Sequence, residues 1–67
     1  METLTINSRK IKTTFNFYLY KSGYIYVSTG ETKFQPTDKN GNTLMADKND
    51  FEKVCRKWVK NVLQDRG

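Results

Sequence analysis

Histidine is absent from this chain, and with it go the commonest general base near neutral pH and the commonest protein metal ligand. Cysteine occurs once, at Cys55, which excludes an intramolecular disulfide and a cysteine-rich metal cluster. Proline also occurs once, and the four glycines, Gly23, Gly30, Gly41 and Gly67, are scattered instead of forming a loop that could cradle phosphate. No serine stands in the setting of a nucleophile elbow. No apolar run is long enough to span a bilayer, and residues 1–12 lack the continuous apolar stretch of a signal peptide. Together these absences predict a non-catalytic protein without cofactor, metal or membrane partner, soluble in a reducing cytoplasm.

Carboxylates are scarce as well. Seven Asp and Glu stand against twelve Lys and Arg, a net charge of +5 and a pI near 9.5. That balance favours a polyanionic partner, although surplus lysine also serves solubility alone. The 67 residues make one small domain, residues 1–67, with no linker, repeat or low-complexity tract. A chain this short buries only about 60% of its unfolded surface, so self-association would add useful burial.

What the chain has in quantity is aromatic alternation. If residues 14–20 and 24–29 are antiparallel strands, a three-residue loop of Lys21, Ser22 and Gly23 pairs Tyr20 with Tyr24, Leu19 with Ile25, Tyr18 with Tyr26 and Phe17 with Val27. All four tyrosines then share one face, and Phe15, Phe17, Leu19, Ile25 and Val27 share the other. A two-residue loop would set Leu19 against Tyr26 and mix the faces, because a one-residue slip turns every side chain over. The longer loop, with Gly23 in the left-handed conformation, is therefore predicted.

Residues 3–7 read Thr-Leu-Thr-Ile-Asn, a period-two strand with Leu4 and Ile6 on one side. Ile11 breaks that parity, which places a turn or bulge in Asn7, Ser8, Arg9 and Lys10. After Thr29, a turn at Gly30, Glu31 and Thr32 leads into a short strand from Lys33. Pro36 cannot donate a ladder hydrogen bond, so that strand belongs at an edge. Asp38, Lys39, Asn40 and Gly41 signal another turn, whose three-residue loop places Phe34 and Leu44 on one face and opens a further strand at 42–46.

The last segment changes period. Phe51, Val54, Cys55, Trp58, Val59, Val62 and Leu63 trace one helical stripe, with Lys53, Arg56, Lys57, Lys60 and Gln64 opposite. Asp47 is placed to cap this helix, Asp50 and Glu52 suit its positive amino end, and Arg66 with Gly67 suits its close. Glu52 and Arg56 form an i,i+4 pair. The fold predicted is thus α+β: an antiparallel sheet of three to five strands followed by one C-terminal amphipathic helix packed on its apolar face.

Two features that imitate active chemistry have simpler explanations. Cys55 lies inside the apolar stripe, where a thiol behaves as a small buried hydrophobe. Asp47, Asn49 and Asp50 lack the glycine and terminal glutamate of a calcium loop and fit a helix start. The basic helix face of Lys53, Arg56, Lys57 and Lys60 reads as a solvated surface.

The tyrosine face is the candidate site. Base-aromatic stacking contributes about 1–3 kcal/mol per base and accepts any base. Tyr18, Tyr20, Tyr24 and Tyr26 could supply such a platform, with Lys21 at the hairpin tip and Arg9, Lys10, Lys12 and Lys33 tracking phosphates. Single-stranded DNA or RNA is the ligand expected of that arrangement. The same face could instead dock on a host protein, as a phage or mobile-element inhibitor would, or close a homodimer. Cross-strand aromatic pairs also stabilise a sheet without any ligand.

The order of features resembles the purine-rich-element-binding (PUR) domain. The residues that carry the likeness are 13–20, Thr-Thr-Phe-Asn-Phe-Tyr-Leu-Tyr, then 23–29, Gly-Tyr-Ile-Tyr-Val-Ser-Thr, and 50–54, Asp-Phe-Glu-Lys-Val, opening the helix. After Gly30 the pattern departs, since the segment through Asn42 is polar and contains Pro36. The resemblance implies a single-stranded nucleic-acid binder acting as an intertwined homodimer, with Tyr18, Tyr20, Tyr24 and Tyr26 stacking on bases.

Overall fold

A computed structural model describes residues 1–30 and 32–66, with 65 and 66 described by backbone alone. Four strands, β1 (Glu2–Ser8), β2 (Thr13–Leu19), β3 (Ile25–Ser28) and β4 (Lys33–Phe34), precede one helix, α1 (Phe51–Arg66). The strands form an antiparallel sheet in the order β1-β2-β3-β4. The fold class is the α+β arrangement that the alternation and the terminal helical stripe predict.

Between β2 and β3 the register matches the face argument residue for residue: Phe17 opposes Val27, Tyr18 opposes Tyr26 and Leu19 opposes Ile25. Tyr20 and Tyr24 close the hairpin through a 3.0 Å bond from the Tyr20 N–H to the Tyr24 carbonyl. The Gly23 N–H returns to the Tyr20 carbonyl at 2.9 Å. Gly23 has φ of 93°, a conformation in which a side chain would be strained.

The first hairpin turns later than its sequence suggests. Asn7 and Ser8 remain in β1, Ser8 faces Thr13, and the loop is residues 9–12, with Lys12 at φ of 52°. Asn7 keeps its strand place by accepting a 2.7 Å hydrogen bond from the Thr14 hydroxyl across the ladder. Ile11, the residue that breaks parity, packs from the loop against the core.

The second edge also differs from expectation. Residues 42–46 make no continuous strand; an isolated bridge joins Met45 to Tyr24 beside β3, and a second, Thr37 with Thr43, lies within the loop. The Ile25 N–H donates to the Leu44 carbonyl at 3.1 Å and the Ala46 N–H to the Gly23 carbonyl at 3.0 Å. Residues 44–46 therefore continue the edge that β4 begins, and residues 35–43 loop out between the two halves. Pro36 causes the break: lacking an N–H, it leaves the ladder and is buried. Its carbonyl accepts from the Leu44 N–H at 2.9 Å, which pins the return. At the tip of this excursion the Asp38 carboxylate accepts from the N–H groups of Asn40 and Asn42, enclosing the expected Lys39-Asn40-Gly41 loop. The Gly30-Glu31-Thr32 turn is fastened by a 3.0 Å bond from the Thr29 N–H to the Thr32 carbonyl. Glu31 itself and the Gly67 stop lie outside the described residues.

The apolar faces meet in one core of Phe15, Phe17, Leu19, Ile25, Val27, Phe51, Cys55 and Val59. The Trp58 ring stands perpendicular to those of Phe15 and Phe17, with centroids 5.7 and 5.8 Å away, an arrangement favoured by the aromatic quadrupole. Asp47 caps the helix start, its Oδ1 accepting from the Asp50 N–H at 2.9 Å. Arg56 donates to Glu52 at 2.8 Å on the exposed side. No described helix is long and apolar enough to cross a membrane.

Candidate nucleic-acid interface

Because α1 covers one face of the sheet, no layer of described residues covers the other. Strand alternation and register assign to this outer face Thr3, Thr5 and Asn7 from β1, Thr14, Asn16 and Tyr18 from β2, and Tyr26 and Ser28 from β3. Lys33 of β4 lies opposite Ser28. No carboxylate occurs among these residues. The β1 side is a hydroxyl and amide ladder, with the Thr5 hydroxyl donating to the Asn16 side-chain oxygen at 3.0 Å. The β3 side is aromatic.

Three tyrosines gather there around one cation. The rings of Tyr20 and Tyr26 lie 4.6 Å apart at 34°. The Lys33 ammonium sits 5.3 Å from the Tyr18 and Tyr26 centroids and 5.4 Å from that of Tyr20. It donates a 2.8 Å hydrogen bond to the Tyr20 hydroxyl. That bond, more than anything else, raises the lysine above its ordinary value, with electrostatic help from the three phenols and against a desolvation that lowers it. The β3–β4 register explains the convergence: Ser28 facing Lys33 puts the lysine one diagonal step from Tyr26, within reach of a long side chain.

Tyr24 stands apart. It is 40% exposed, faces Met45 across the edge bridge, and enters no ring pair among the described residues. The platform is thus three tyrosines and a lysine, with Tyr24 a flank.

The other basic residues divide by position. Lys21 is exposed at the tip of the β2–β3 hairpin. Arg9, Lys10 and Lys12 occupy the β1–β2 loop, at the opposite end of β2 and at the far edge of the sheet from Lys33. Lys10 lines a trough on the helix side, with Ser8, Arg56 and Lys60. Only Lys33 of the five is brought into the tyrosine cluster. Proximity in sequence put Arg9 and Lys10 near the aromatic strand, but a hairpin loop carries them past its end.

Chemistry that needs a nucleophile has no foothold at Cys55. The thiol is fully buried, and burial pushes its pKa up to about 12. No group of three or more acidic, cysteine or histidine side chains suited to a metal occurs among the described residues. The chain matches no protein-family model, no curated protein and no solved structure.

Proposed function

We propose that the open sheet face binds single-stranded nucleic acid without catalysis. The observation that carries this is the convergence of Tyr18, Tyr20 and Tyr26 on Lys33, on an uncovered face whose described residues include no carboxylate. Rings give bases a sequence-tolerant surface, and a fixed ammonium among them gives the backbone an anchor. The PUR-like residues of the tyrosine hairpin support the same assignment.

Lys33 rests over the rings in the free protein, so a base must displace it. A solvent-exposed cation–π contact is weak, whereas each stacked base returns about 1–3 kcal/mol and the ammonium regains a partner in a phosphate. The exchange therefore favours the strand. Lys33 is a removable cover when the site is empty and a phosphate contact when it is filled.

Labelled oligonucleotides titrated by fluorescence anisotropy test this. Binding in the micromolar range or tighter is expected, falling as salt rises. The Tyr18→Ala, Tyr26→Ala double variant should lose about tenfold or more while its circular dichroism is retained. Lys33→Gln should lower the slope of log affinity against log salt by about 1. Undiminished affinity in the tyrosine variant rejects the platform.

One observation favours the runner-up, a host-protein partner. Lys33 already occupies the ring faces, and a protein interface needs only the ring edges and hydroxyls. In that case a pull-down recovers one stoichiometric protein whose retention survives nuclease.

A further inference from the structure

The two edges of the sheet are protected to very different degrees. The β4 edge is two residues long, then broken by Pro36 and the excursion, which are familiar guards against strand pairing. The β1 edge has none. It is seven residues, Glu-Thr-Leu-Thr-Ile-Asn-Ser, in unbroken register with β2, free of proline, lysine and bulge. No described segment bonds to its outer side.

We propose that this edge is closed by a second copy of the chain, β1 pairing antiparallel with β1 about a two-fold axis at Thr5. That centre uses the whole strand. It sets Leu4 opposite Ile6 on the helix side, Thr3 opposite Asn7 on the outer side, and Glu2 opposite Ser8, so apolar meets apolar and polar meets polar throughout. Centring on Leu4 would instead set Glu2 against Ile6, and centring on Ile6 would set Leu4 against Ser8.

A trough beside the end of β1 says what the second copy brings. About 360 Å³ in volume, it is walled by Ile6, Val59 and Leu63 and rimmed by Lys10, Arg56 and Lys60. Arg56 is engaged by Glu52, but Lys10 and Lys60 have no ion pair among the described residues. Ser8 opens onto the same place; it is 8% exposed and its hydroxyl has no hydrogen-bond partner. Pairing about Thr5 delivers Glu2 of the second copy to this position, on the helix-facing side of its strand. Among the described residues of the single chain that carboxylate has only a 3.8 Å contact with exposed Lys48. The charge that the trough lacks is thus carried at the other end of the same strand, and two-fold symmetry satisfies both copies at once. The result is an eight-stranded sheet with both tyrosine clusters on one side and the two β2 strands about 14 Å apart.

Sedimentation and light scattering without nucleic acid test the pairing independently of any ligand. A dimer is expected at micromolar concentration. Thr5→Cys should give a covalent dimer on mild oxidation, since directly opposed residues lie about 4.5–5.5 Å apart, within disulfide reach. Asn7→Cys, whose equivalent sits far along the second copy, should not. Glu2→Lys, at an exposed position, should raise the dimer dissociation constant by at least about tenfold through two like-charge contacts. A monomer at all concentrations, cross-linking by Asn7→Cys equal to that by Thr5→Cys, or a dimer indifferent to Glu2→Lys would each overturn it.

Discussion

At the scale of single residues, environment decides which groups are chemically available. Cys55 and Lys33 are opposites. The thiol is packed among apolar side chains and held protonated, while the ammonium is in solvent and held charged by a hydroxyl and three ring faces. Cys55 should therefore resist alkylation in the native protein and react only as the core opens, which a thiol-reagent time course against denaturant would show. Its raised pKa has a second consequence. Below its ordinary value near 9.0 the buried thiol's contribution to stability is complete. Above that the unfolded chain ionises while the folded one does not, so melting temperature should fall as pH climbs toward about 12. Cys55→Ala should flatten part of that alkaline decline. Burial of Cys55 was readable from its place in the stripe. The capture of Lys33 was not, because it depends on which residue of β4 faces Ser28, and the turn before β4 gives no alternation to fix that register.

At the scale of elements, the parts legible in sequence are those where one periodicity governs both faces. The tyrosine hairpin and α1 are of this kind, and Asp47 was identifiable as a cap because a carboxylate three residues before an N–H has few other uses. Asp47→Ala should cost about 0.5–2 kcal/mol, measured by urea unfolding, because the Asp50 N–H then loses its carboxylate acceptor and keeps only the Asp47 carbonyl at 3.2 Å. Residues 42–46 were illegible for a physical reason. Leu44 and Met45 alternate as a strand would, but their partners are Ile25 and Tyr24, and the edge they complete was begun by Lys33 and Phe34 on the far side of a loop. Likewise Asn7 and Ser8 carry turn-forming side chains yet stay in β1, since Asn7 finds its hydrogen bond across the strand pair in Thr14. The far placement of Arg9, Lys10 and Lys12 follows from that hairpin, not from their composition.

For the whole molecule, charge and layer arrangement act together. One face of the sheet is closed by a helix whose outer side carries Lys53, Arg56, Lys57 and Lys60, and the other is open and aromatic, with Lys33 the cation at its tyrosines. The chain has no histidine, and the described outer face has no carboxylate and no thiol. Lys33 keeps its charge until pH rises through a value above 10.5. Oligonucleotide affinity should accordingly be flat from about pH 6 to 9 at fixed salt, while dropping steeply with salt at fixed pH; a marked slope with pH would place the contact elsewhere. The interrupted edge has a use of its own. Since β4 and residues 44–46 are each fastened to the β3 side by their own backbone bonds and Pro36 is buried, it is the exposed tip of the stretch between them, residues 38–42, that stays out of the sheet. Lengthening it at Asn40 would cost only about 0.6 kcal/mol per doubling of the loop. An epitope or fluorophore-bearing peptide spliced there would ride on the molecule as a handle, remote from the phenols and from the β1 margin alike.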